Sequence, residues 1–208
     1  MAYSDFTLRK IKQEFGLTTV EDGRFLPEVE PILPSPVLAE LLEENLPWAI
    51  PLGIASLHTV GTEKAKSEMI VAPTLLEVKR LLKRKISVFS GSDFTVDSSV
   101  GLNGVCDFLV SRFPEQFEIE APVLVLVEAK RDNINSGLGE CIAEMIAAQR
   151  FNEANHHPLP TIYGCITTGT AWRFLKLEKQ VVAIDVRDYP FPPVEQILGM
   201  LVWMVREG

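Results

Sequence analysis

Two short stretches carry side chains suited to chemistry. The apolar run Pro122-Val123-Leu124-Val125-Leu126-Val127 ends in charge, at Glu128-Ala129-Lys130. Upstream, Val105-Cys106-Asp107-Phe108-Leu109-Val110 sets a lone acid in an apolar context. Both read as buried strands. Residues i and i+2 of a strand point to one face, so Glu128 and Lys130 share a side that Asp107 reaches from the neighbouring strand. Two carboxylates and an ammonium at a sheet edge suit a divalent metal ion and a water, the needs of phosphodiester hydrolysis.

Two further polar residues interrupt apolar helical stripes. Residues 63–85 are helical in pattern, with Val71, Ala72, Leu75, Val78 and Leu82 on one stripe and Glu68 in its midst. An inward acid needs a reason; the competing reading is a solvated carboxylate near a helix end. Pro73 predicts a kink or break just before it. In the helix expected over 137–155, Gln149 shares the stripe of Leu138, Cys141, Ile142, Met145, Ile146 and Ala148, while Glu140 and Glu144 project to the opposite side. An inward Gln requires hydrogen-bond partners; the alternative is a frayed helix end satisfied by backbone.

The elements that must position these groups follow in order. A short helix is expected over 5–15, an extended Pro-bearing connection over 20–35 and a helix over 36–46, followed by Pro47 and Pro51. Residues 1–60 thus form an N-terminal helical arm or subdomain packed on a core of residues 61–208. That core begins with the 63–85 helix. Strands 86–97 and 104–112 pair antiparallel, and 122–130 is a central strand whose unbroken apolar run implies burial on both faces. A strand at 161–168, a hairpin of 172–177 with 181–186 around Glu178-Lys179, and a closing helix over 194–205 complete the chain.

Composition limits the possibilities. With 208 residues, 47% of them hydrophobic, the chain can bury a substantial core. It has no apolar run long enough to span a membrane and no signal-peptide pattern at Met1 to Arg24. Cys106, Cys141 and Cys165 are widely spaced and lie in apolar segments, which suits reduced core thiols in a cytoplasmic protein. The net charge of −8 argues against non-specific coating of nucleic acid. Lys79, Arg80, Lys83, Arg84 and Lys85 form a local basic run, which reads either as a patch that docks a phosphate backbone or as cations favoured at a helix C-terminus. His58, His156 and His157 lack the spacing of a zinc site.

The order helix, three strands, helix, strand, with an acid in the first helix, Asp107 on the second strand and Glu128-Ala129-Lys130 on the third, resembles the PD-(D/E)xK nuclease superfamily. The resemblance spans roughly residues 60–170 and is nearest to uncharacterised bacterial, notably cyanobacterial, members. In these a Gly-rich strand entry precedes the Glu-Ala-Lys strand; here it reads Gly101-Leu102-Asn103-Gly104-Val105-Cys106-Asp107-Phe108. Cys106 stands where the motif's name has Pro, and Glu153 stands where the exonuclease branch has the Tyr of Gln-x-x-x-Tyr.

The resemblance implies an α/β restriction-endonuclease-like fold, three layers with a central mixed β-sheet flanked by helices. It implies Mg²⁺ or Mn²⁺ held by Asp107 and Glu128, with the Ala129 carbonyl and the first-helix acid Glu68 as further oxygens. Lys130 would position and activate the attacking water, and Gln149 matches a polar position on the helix that follows. The expected activity is metal-dependent phosphodiester hydrolysis of DNA, by a protein that acts as a homodimer if it cuts both strands. Two alternatives stand beside it. One is a catalytically silent protein that keeps the fold for binding or assembly. The other is an accessory of a restriction or mobile-element system, active only with a partner protein.

Overall fold

The computed structural model describes residues 1–23, 25–45 and 62–207. Pro47, Pro51, His58 and the end of the helix expected over 36–46 lie outside the described residues. The architecture is α/β. Among the described residues, an eight-stranded mixed sheet carries helices on both faces. The strands are β1 (Thr18–Asp22), β2 (Ser87–Asp93), β3 (Val105–Ser111), β4 (Val123–Ala129), β5 (Ile162–Thr167), β6 (Ala171–Glu178), β7 (Val181–Asp185) and β8 (Tyr189–Pro190). Their order is β1-β7-β6-β5-β4-β3-β2, with β8 beside β6. The β4–β5 and β1–β7 pairs are parallel, and the others are antiparallel.

Helices α1 (Leu8–Phe15) and α5 (Leu138–Ala154) cover one face. Helices α2 (Pro36–Asn45), α4 (Ala72–Leu81) and α6 (Glu195–Glu207) cover the other. β4 is buried throughout, as its apolar run predicts. Leu126 joins the α5 side and Val127 the α4–α6 side, so two cores meet at this strand.

The helix expected over 63–85 ends at Leu81 and is continuous from α3 (Glu63–Lys66) into α4. The irregularity foreseen at Pro73 takes the form of a π turn over Ser67–Val71, in which the Ala72 N–H bonds the Ser67 carbonyl five residues back. Pro73 has no N–H to offer the Met69 carbonyl; the Asn45 Nδ2 donates to it instead, at 3.0 Å.

The loop from β4 to α5 is short, so α5 runs back along the sheet. Its far end is clamped by Asn152, whose side chain accepts from the Val123 N–H and donates to the Val123 carbonyl, both at 2.7 Å. A Cβ at Gly164 would stand 2.5 Å from Met145 Sδ, so the glycine on β5 permits this close helix approach.

β1 was not foreseen. Thr18-Thr19-Val20-Glu21-Asp22 is a polar, half-exposed edge strand, and its ladder partner β7 lies far along the chain. The N-terminal segment also supplies Tyr3, Phe6 and Ile11 to the core beneath α5. Among the described residues, no helix is long and apolar enough to cross a membrane.

Candidate active site

The site forms where β3 enters and β4 leaves the sheet. Toward that end their pairing stops at Phe108 with Val127. The same register would next set Asp107 opposite Glu128. The Asp107 side chain instead accepts the Ala129 N–H at Oδ2, 2.9 Å away. A strand residue directs its N–H and C=O to the same neighbour, so the Ala129 carbonyl also faces β3. An acid, a second acid and a backbone oxygen thus meet where β3 and β4 part.

Glu128 and Lys130 point the same way, as strand alternation requires. The Lys130 ammonium pairs with Glu128 Oε1 and with Glu140 Oε2, the latter at 2.7 Å. The Lys130 backbone N–H donates to the Thr167 carbonyl at 2.8 Å, which anchors the residue to β5. Gly137 leaves room for its stem, because a Cβ there would stand 3.2 Å from Lys130 Cγ. From the other face of the sheet, Lys66 of α3 donates its ammonium to the Arg131 carbonyl at 2.6 Å.

One ammonium faces more than one acid. Burial, and then the Asp107 carboxylate, push Glu128 up to about 9. Burial also raises Asp107, against the Ala129 N–H and Lys130, which favour its charged form. Burial opposes the Lys130 ammonium, but Glu128 and Glu140 hold it above the ordinary lysine value. Glu144 is fully enclosed; burial, then Glu128 and Glu140, drive its carboxyl far up. Excess acid in a dry setting calls for protons or for a further cation.

Asp107, Glu128, Lys130 and the Ala129 backbone come together, while Glu68 and Gln149 lie apart from them. The Glu68 side chain is 64% exposed and faces Lys64 at 3.7 Å. The π turn adds a residue to the helical repeat, so a stripe extrapolated back from Val71 at 100° per residue misplaces everything before it. Glu63, in the first turn of α3 behind the Thr62 cap, is the helix acid whose charge reaches Asp107. The Gln149 Nε2 donates to the Lys179 carbonyl at 3.4 Å, over the β6–β7 turn. Five residues beyond Glu144, it lies about 140° around the helix.

The site residues missed from sequence are therefore Glu63, Glu140 and Glu144. The apolar stripe of the sequence sets Glu140 and Glu144 on its opposite side. α5 is buried on two sides, by the sheet and by the N-terminal segment, and a Cβ at Gly139 would meet the Phe6 carbonyl at 2.2 Å. An apolar stripe cannot identify the sheet-facing side of such a helix. The available signal was Glu140 and Glu144 themselves, one turn apart on the helix that directly follows the Glu-x-Lys strand.

Among the described residues, no three Asp, Glu, His or Cys side chains already stand around one point as metal ligands. The donor set still fits a hard divalent cation: carboxylate and carbonyl oxygens, an excess of acid over ammonium, and buried Glu144 oxygens that lack hydrogen-bond partners. Compared with protein-family models and with curated proteins, the chain matches none.

Proposed function

We propose that this protein is a metal-dependent phosphodiesterase acting on DNA, with the restriction-endonuclease-like version of its α/β fold and membership of the PD-(D/E)xK superfamily. The observation that carries the reading is Asp107 and Glu128 side by side where β3 and β4 part, with Lys130 joined to Glu128. Asp107, Glu128 and the Ala129 carbonyl are the groups that would hold Mg²⁺ or Mn²⁺. Such an ion supplies charge for the phosphate oxygens and lowers the pKa of a water. Lys130 carries a full positive charge at the same edge, where it can orient the attacking water and stabilise charge developing on phosphate. Burial around Glu128 keeps competing water out and strengthens each of these interactions.

The experiment is DNA cleavage by the purified chain in Mg²⁺ or Mn²⁺, with and without chelator. Cleavage is expected to require the metal. Lys130→Ala should abolish turnover and spare metal binding, whereas Asp107→Ala should lose both. Undiminished cleavage by Lys130→Ala would falsify the mechanism.

A second reading rests on the double ion pair of Lys130 with Glu128 and Glu140. In a catalytically silent binding or assembly protein that pair is structural. Both substitutions would then lower stability, and no metal-dependent activity would exist to lose. The net charge of −8 accords with this reading, and a partner protein supplying the basic surface would reconcile it with DNA.

A further inference from the structure

Among the described residues few buried polar side-chain atoms lack a partner; Ser87 Oγ and Asn103 Oδ1 are neutral cases, and Glu144 is the ionisable one. It is completely enclosed, and neither carboxyl oxygen has a hydrogen-bond partner among the described residues. The Cys106 thiol lies beside it, but a thiol is a weak donor. An enclosed carboxyl without partners costs stability whether neutral or charged, and far more when charged. Leu or Met would fill the same space without that cost. An acid in such a place needs an explanation outside its own packing.

The placement of α5 indicates what. Glu140 meets Lys130 at the outgoing end of β4, and Asn152 clamps Val123 at the incoming end. Glu144, one turn on from Glu140, therefore lies over β4 on the Glu128 side. The carboxylates that act on it electrostatically are Glu128 first, then Glu140, with Asp107 also contributing. Glu144 thus lies on the core side of the acid cluster, within reach of its charge.

We propose that Glu144 is a third carboxylate ligand of a divalent-cation site shared with Asp107 and Glu128, contributed by α5 beneath the strand ends. The cation it takes is hard and oxygen-seeking, of the Mg²⁺ or Mn²⁺ class. The Lys130 ammonium supplies positive charge on the Glu128–Glu140 side of the cluster only, and the three carboxyls would have to draw in from their present positions to surround one ion. A bound divalent ion gives Glu144 the partner it lacks. The inference shares its cation with the reading above but adds a ligand that the strand motif does not contain.

The test is Mn²⁺ binding to the full chain at fixed pH, by titration calorimetry and electron paramagnetic resonance, together with thermal unfolding in chelator. The variants are Glu144→Leu, Glu144→Gln and Asp107→Asn. Wild type should take up Mn²⁺, and both Glu144 variants should bind it about tenfold more weakly or worse. Metal-free Glu144→Leu should melt no lower than wild type, because an enclosed unpartnered acid has been replaced by an apolar group. Glu144 variants that bind Mn²⁺ as wild type does, while Asp107→Asn loses it, overturn this inference alone. A wild type that takes up no Mn²⁺ overturns it together with the metal-dependent reading. Metal-free Leu and Gln variants that both melt well below wild type make Glu144 a structural group and overturn the inference as well.

Discussion

Asp107 does two jobs with one carboxyl. One oxygen takes the Ala129 N–H where β3 and β4 part, and the group also contributes negative charge beside Glu128. That charge, added to burial, has a measurable consequence. Glu128 moves from an ordinary 4.5 up to about 9, and Asp107 and Glu144 move in the same direction. Across that interval the folded protein holds protons that the unfolded chain has released. The Glu128 contribution to stability is therefore greatest below about 4.5 and is lost as pH rises through about 9, and the raised Asp107 and Glu144 carboxyls act with the same sign. In chelator, the urea midpoint should fall with rising pH in wild type and fall less steeply in Glu128→Gln. Identical slopes for the two proteins would mean that Glu128 ionises normally. At the same residues, the cleavage contrast between Lys130→Ala and Asp107→Ala separates a water-positioning lysine from a metal ligand.

At the scale of elements, the geometry of the site depends on how α5 is tied to β4. Asn152 is fully buried, and its amide satisfies both backbone groups of Val123 at the start of that strand. Asn152→Leu keeps the branched shape of the side chain and strands a buried donor and a buried acceptor. The expected loss is about 2–6 kcal/mol, at roughly 1–3 kcal/mol for each of the two unpaired groups, read as a lower urea midpoint with unchanged m-value. A loss below about 0.5 kcal/mol would show that α5 is positioned by apolar packing alone. The first helix shows the opposite case, where local covalent structure reaches beyond its own residues. Pro73 withholds one N–H, the preceding turn widens into a π turn, and Glu68 is carried out to solvent while Glu63 takes the position near Asp107.

For the molecule as a whole, the N-terminal segment is woven into the sheet and the core. β1 forms the sheet edge beside β7, Tyr3 donates its hydroxyl to the Phe94 carbonyl, and the Tyr3 N–H bonds the Asn103 carbonyl. Removing residues 1–23 takes away an edge strand along with Tyr3, Phe6, Ile11 and Leu17, all buried. The truncated chain should expose the apolar side of α5 and the edge of β7, and so aggregate or melt far below the full chain. Size-exclusion chromatography and a circular-dichroism melt would check this. A monomeric truncation with an unchanged melting temperature would identify the segment as a separable arm.

The boundary between what was legible in the sequence and what was not follows the range of the forces involved. β4, its pairing with β3, the shared side of Glu128 and Lys130, and the nearness of Asp107 all follow from strand alternation and an apolar run, which are properties of neighbouring residues. α5, β5, the β6–β7 hairpin and α6 were readable for the same reason. Short-range pattern fails where a partner lies far along the chain. β1 is an ordinary polar stretch until β7 offers it a ladder. α5 has one apolar stripe on paper and two buried sides in the fold, so only packing decides that Glu140 meets Lys130 and Glu144 is enclosed, while Gln149 lies over the β6–β7 turn. Local alternation placed the two strand carboxylates and the lysine. The enclosure that makes their charge costly, and that brings the helix acids to them, exists only once sheet and helices have closed around the site.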